Sequence, residues 1–183
     1  MITRKSIAIL LLLLLNAAIL WLLLSGDGAY AYQKKVKLPF SISEDKEILL
    51  VYLGYVGCPT ICPAALSHLS SFEDSLHSSK TQVIFVNLID GMEQALADKF
   101  AKSFHPNFIG IQLNENSKTQ LINNLLAFYS EEQPSINRKT GHSDLVYFFK
   151  REKTTKKAWI LHYIVAPSTL EVLFNTYKKM KIL

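Results

Sequence analysis

Residues 48–63 read ILLVYLGYVGCPTICP, an apolar run that breaks on Gly57 and then carries both cysteines of the chain. So short an apolar segment, Ile48–Tyr55, predicts a strand buried on both faces. Pro63 suits a first helical turn, where its missing N–H has no partner to lose. Ala65, Leu66, Leu69, Phe72 and Leu76 then share one stripe of a helix reaching Ser78. Cys58 and Cys62 therefore stand where the first core strand hands over to the first helix, at the end of an open α/β sheet where ligands bind.

Downstream, Gln82–Leu88 is a second apolar strand. After Gly91, Met92, Leu96, Phe100 and Phe104 fall four apart on a second helix. Phe108–Ile111 is a short third strand. Ser117-x-x-Gln120 reads as a capping box opening a helix that aligns Leu121, Leu125 and Phe128. Ser130–Gly141 is a polar loop. Asp144–Phe149 and Ala158–Val165 are strands joined by the basic stretch Lys150–Lys157. Pro167-Ser168 ends the second of them and caps a last helix with Leu170, Leu173, Phe174 and Tyr177 on one face. The order β-α-β-α-β-α-β-β-α predicts a parallel sheet with right-handed crossovers and a late antiparallel hairpin. That is a three-layer α/β/α sandwich of thioredoxin type. A flavodoxin-like order is the alternative, because periodicity leaves strand order open.

Upstream, residues 7–24 are apolar at every position but Asn16. Eighteen residues at helical rise span about 27 Å, enough to cross a hydrocarbon core. This predicts a transmembrane anchor at 7–24 behind a cytoplasmic flank at 1–6, a linker at 25–37 and a folded domain at 38–183. Ala29-Tyr30-Ala31 also fits a cleavage pattern, so a cleaved signal with a mature start at Tyr32 is the alternative. Lysines and arginines flank the run almost evenly, and the short N-flank favours a single pass with the domain outside. In a bacterium that is an inner-membrane protein with a periplasmic domain.

Composition excludes several classes. The net charge of +5 comes from 20 Lys+Arg against 15 Asp+Glu, in scattered clusters at Lys34–Lys37, Lys150–Lys157 and Lys178–Lys181. They gather on no single helix, which argues against nucleic acid as a partner. Two cysteines exclude a disulfide-dense scaffold.

The cysteine pair is the chemical signal. At a helix start, free N–H groups and the helix dipole favour thiolate. An i, i+4 spacing lets two sulfurs meet each other as a disulfide or meet one metal ion as a dithiolate. A purely stabilising disulfide would close only a few residues and constrain the unfolded chain little. Thiolates select Cu(I), and imidazole suits Cu(II) as well. Of the histidines, His68 and His77 flank the first helix stripe as surface residues. His105 suits a helix C-terminus, and His162 in the strand WILHYIV is a candidate ligand, with a satisfied sheet histidine as the alternative.

Val51–Pro63 (VYLGYVGCPTICP) closely resembles the site segment of the SCO/SenC family of copper chaperones. Phe104–Ile111 resembles the segment before that family's third helix. Gly141-His142-Ser143, before the strand Asp144–Phe149, resembles its Asp-His-Ser/Thr segment. The chain departs from the family pattern at Thr60 and Gly141, lacks the family's Asp-Pro and is one residue short over Asn87–Glu93, where Asp90 is the aspartate nearby, and looks clipped over Leu38–Lys46. The resemblance implies a thioredoxin-like domain that holds copper, as Cu(I) or Cu(II), through Cys58, Cys62 and His142. It implies a redox-active Cys58–Cys62 pair and delivery of copper to cytochrome c oxidase subunit II or another copper protein. The competing reading is an enzyme, a thiol-disulfide oxidoreductase with Cys58 attacking, and a third is a copper or redox sensor.

Overall fold

A computed structural model describes residues 11–20, 29–76, 78–131, 140–152 and 158–182. In chain order the elements are a helical stretch α1 (residues 11–20), then β1 (Ala29–Val36), β2 (Ile48–Gly54), α2 (Ile61–Leu76), β3 (Thr81–Asn87), α3 (Gln94–Lys102), β4 (Ile109–Gln112), α4 (Glu115–Leu125), β5 (Tyr129–Glu131), β6 (Thr140–His142), β7 (Val146–Arg151), β8 (Trp159–Val165) and α5 (Leu170–Ile182).

The main sheet runs β1-β8-β7-β2-β3-β4, and β5 and β6 form a separate two-stranded ribbon. β2, β3 and β4 are parallel, while β7 lies antiparallel on the other side of β2. This is the thioredoxin-like order. It sets aside the flavodoxin-like alternative, whose core strands all run the same way.

Handedness explains the layers. Stepping from β2 to β3 to β4 in one direction puts both right-handed crossovers on one face. Returning across β2 to reach β7 puts α4 on the other. The core divides accordingly. Leu50, Tyr52, Val83, Phe85 and Phe148 pack with residues of α2, α3 and α5. Val51, Leu53, Ile84, Val86, Tyr147 and Phe149 pack with Leu121 and Leu125 of α4. Every residue of β2 and β3 is buried, as the continuous apolar runs require.

Several expectations are corrected. The expected linker at 25–37 contains a strand: Ala29–Val36 pairs antiparallel with β8, from Ala29 opposite Val165 to Val36 opposite Trp159. A strand with one partner needs little apolar content, so AYAYQKKV carries no core pattern. Helix α4 begins at Glu115, and its cap is Asn114, whose side chain accepts the Ser117 N–H at 2.9 Å. The Ser117 capping box is therefore displaced by an asparagine three residues earlier. Leu126 leaves this helix in the left-handed region (φ 53°), and Phe128 lies beyond it. Helix α3 docks through Ala97 and Ala101, whereas Leu96 is exposed. The reason is Gly110 on β4, where a Cβ would stand 1.9 Å from the Ala97 carbonyl oxygen, so only small residues allow this approach. Thr169, one residue after Ser168, caps α5 by accepting the Val172 N–H at 3.3 Å.

In the predicted membrane span, residues 11–20 are helical and exposed throughout. Among the described residues no helix is long and apolar enough to cross a membrane; residues 7–10 and 21–24 of the span lie outside them. His77 and most of the basic stretch, residues 153–157, also lie outside them.

Candidate metal centre

The turn after β2 is built from three constraints. Gly57 adopts φ +82°, which a side chain would strain. The Cys58 N–H donates back to the Tyr55 carbonyl at 3.2 Å. The Val56 N–H donates to Asn87 Oδ1 at 2.9 Å, and the Asn87 amide donates in turn to Ile89 O at 2.9 Å and Gln112 Oε1 at 2.6 Å. Asn87 is fully buried at the end of β3. It ties the cysteine loop to β4, a role the sequence reading missed. Its signal is an amide that closes the apolar run Val83–Val86.

Cys62 is the second residue of α2, while Cys58 precedes the helix. The sulfurs therefore meet because the turn folds Cys58 back, not because both stand on one helical turn. His142 arrives from β6. Cys58 Sγ, Cys62 Sγ and a His142 ring nitrogen lie within 4.8 Å of one another, and no other group of three or more His, Cys, Asp or Glu side chains converges this way among the described residues. Cys62 Sγ is 3.4 Å from His142 Nε2. The other nitrogen, Nδ1, is 3.1 Å from the Ser143 carbonyl oxygen. A carbonyl can only accept, so this bond puts the imidazole proton on Nδ1 and leaves the Nε2 lone pair facing the sulfurs.

The surroundings hold that imidazole. His142 pairs with Tyr129 across the β5–β6 ribbon, and the Ser143 N–H donates to the Phe128 carbonyl at 3.0 Å. The Tyr52 and Tyr55 rings meet the imidazole edge-on, with centroids 6.2 and 5.7 Å away. The Tyr52 hydroxyl donates to Asp144 Oδ1 at 3.0 Å. At Gly54 a Cβ would stand 2.9 Å from Cys62 Sγ, so the glycine makes room for the sulfur. At Gly141, where the family pattern expects Asp, a Cβ would press on Ser130 Oγ (3.0 Å) and the Phe128 ring (3.2 Å).

Both thiols are buried, yet their acidities diverge. Burial opposes the Cys58 thiolate, but hydrogen bonds from the Cys62 thiol and from the Thr60 and Cys62 backbone N–H groups outweigh it and bring Cys58 down to about 6. Burial, reinforced by its bond to Cys58, pushes Cys62 up to about 12. Burial also raises Tyr52, with the charges of Cys62 and Asp144 adding to it.

The other histidines are engaged elsewhere. His68 Nδ1 contacts the Pro167 carbonyl at 2.6 Å, and His105 bridges to Asp74 at 3.1 Å with its ring against Phe108. His162, the rival third ligand, sits on β8 beside Tyr32 and Gln33, outside the three-residue group, with its pKa lowered by burial and by the Lys150 charge. A groove of about 490 Å³ is lined by Val36, Phe40, Arg151 and Trp159 at the opposite end of the sheet.

Two sulfurs and one imidazole nitrogen at the strand-to-helix junction of this sheet define a thioredoxin-like protein with a soft, borderline donor set that suits copper. The family model SCO1/SenC matches residues 43–163, and the chain belongs to that family. An SCO2-like protein of Rickettsia prowazekii is 26% identical over 197 residues, covering 93% of this chain and 96% of its own length. The fold is that of Arabidopsis thaliana ScoI, solved with copper bound (TM-score 0.66, 17% identity, 84% of this chain and 100% of that one). It is also that of an SCO1/SenC family lipoprotein from Bacillus anthracis (TM-score 0.61, 12% identity, 85% and 95%).

Proposed function

We propose that Cys58 Sγ, Cys62 Sγ and His142 Nε2 bind one copper ion and that the protein passes it to another copper protein, cytochrome c oxidase subunit II being the acceptor the family resemblance favours. The observation that carries this reading is the convergence of those three donors within 4.8 Å. Two thiolates satisfy Cu(I), and the nitrogen extends the set to Cu(II). The copper held by the structurally similar Arabidopsis ScoI supports it.

Residues 38–183 form the copper-handling domain together with β1, and 7–24 anchor it in the bacterial inner membrane, with 1–6 cytoplasmic and the domain periplasmic. Three observations support the anchor. The side chains of Leu11–Leu15, Ile19 and Leu20 are exposed, a run of apolar surface that a hydrocarbon core would cover. Asn16, the one polar residue, donates to the Leu12 carbonyl one turn back at 2.8 Å, as an amide in hydrocarbon must. Cleavage after Ala31 would strip the paired residues Ala29, Tyr30 and Ala31 from β1.

The test is an anaerobic Cu(I) titration of the reduced protein. One copper per chain is expected, and Cys58→Ser or Cys62→Ser each abolishes it. Stoichiometric binding that survives in the double variant would overturn the assignment.

A second reading, a thiol-disulfide oxidoreductase, is favoured by one observation, the divergent thiols with Cys58 acidic and Cys62 not. It requires rapid exchange of the Cys58–Cys62 disulfide with a substrate disulfide and indifference to copper.

A further inference from the structure

Strand register relates the N-terminal segment to the metal centre. Ala29 stands opposite Val165, Val165 opposite Val146, and Val146 opposite Tyr52. These four residues form one row across the sheet, and Tyr52 is one of the two tyrosines whose rings meet His142 edge-on. Three strand spacings put Ala29 about 14 Å from Tyr52. β1 enters the sheet at this row and runs away from it, down to Val36 opposite Trp159. The chain therefore joins the domain at the end that carries Cys58, Cys62 and His142. Twist accumulates to about 60–75° over three strand steps, less than a right angle, so the two ends stay on the same side. From Leu24 to Ala29 there are five residue steps, at most about 18 Å of chain.

The surface offers an independent observation. Leu126 is 67% and Phe128 61% exposed. Phe128 is bonded to Ser143, beside His142, and Ile61, beside Cys62, is 38% exposed. Phe128 and Ile61 thus put exposed apolar surface beside the metal centre, while Leu96, Ile109 and Ile182 are exposed as well.

We propose that the N-terminal segment presents the metal-site end of the domain to the lipid surface, with Leu126 and Phe128 against the headgroup region, so that copper is exchanged at the membrane face and not into the bulk compartment. This rests on the reading of residues 7–24 as an anchor. The far end of the sheet, marked by Trp159, then stands about 20 Å farther out.

The chain's two tryptophans make this measurable. The full-length protein is reconstituted in phosphatidylcholine vesicles doped with a lipid that bears a nitroxide on its headgroup. One variant, Trp21→Phe, reports from Trp159. The other, Trp21→Phe/Trp159→Phe/Phe128→Trp, reports from the metal-site end. Emission at position 128 is expected to be quenched at least twice as strongly as at 159. Equal quenching, stronger quenching at 159, or none at either position would overturn the proposal. Flotation of the vesicles tests the anchor separately, since protein left at the bottom of the gradient removes the premise. Copper titration of the same samples reports on the ligand assignment independently of both.

Discussion

Replacing Gly54 with alanine should damage the metal centre and the core together. The new methyl would lie 2.9 Å from Cys62 Sγ, 3.0 Å from Phe85 Cε2 and 3.2 Å from Tyr52 Cε1. Cys62, Phe85 and Tyr52 are all fully buried, so none can swing into solvent. Overpacking of this kind costs about 1–3 kcal/mol. For a chain of this size about 2 kcal/mol lowers the melting temperature by about 4–8 °C. The softest neighbour is the sulfur, and its displacement pulls Cys62 away from His142 Nε2, now 3.4 Å away. The assay pairs thermal unfolding of the copper-free protein, followed by circular dichroism, with the cysteinate–Cu(II) absorption of the loaded one. Gly141→Ala is the control. Its methyl meets atoms at similar distances, 3.0 and 3.2 Å, but they belong to Ser130 and to the largely exposed Phe128, which can yield. A drop for Gly54→Ala with an altered Cu(II) band, against a change under about 2 °C for Gly141→Ala, is expected. A Gly54→Ala protein that melts with the parent and keeps its spectrum would refute the packing argument.

His142→Ala should nearly remove the Cu(II) band while sparing most Cu(I) binding, because two thiolates satisfy the softer ion; His162→Ala should change neither in copper titrations. Lys118→Met should cost about 1–3 kcal/mol in denaturant unfolding. It strands the Leu88 carbonyl, which the buried ammonium now satisfies at 3.0 Å, whereas its other partner, Asp90, is half exposed and can return to water. In the metal-free protein, iodoacetamide should modify Cys58 before Cys62. That rate should fall as pH drops through about 6, where Cys58 regains its proton, while Cys62 stays protonated up to about 12. A single titration near the ordinary thiol value, read by peptide mass spectrometry, would contradict the divergent environments.

The parts legible in the sequence were those whose burial is continuous or strongly periodic. β2, β3 and α2 carry unbroken apolar runs or full stripes, and their order around two cysteines located the site. His142 could be placed only through its position before a strand, because nothing local marks it as a ligand. The residues missed act through the backbone. Asn87 serves by its amide bonds to Val56 and Gln112, and Gly110 by having no side chain. Asn114 outcompeted Ser117 because a cap is defined by where the chain turns into the helix, which pattern leaves uncertain by a few residues. β1 escaped notice because pairing on one side requires hydrogen bonds more than apolar side chains.

The two outermost strands also bear on crowding. An open sheet margin offers unpaired N–H and C=O groups to any neighbouring copy, and aggregation begins there. On one margin, β1 breaks its regular pairing between Ala31 and Lys34 and sets lysines at positions 34 and 35. On the other, β4 is only four residues long, too little template for an incoming strand. Many copies can therefore stand side by side without their sheets merging end to end.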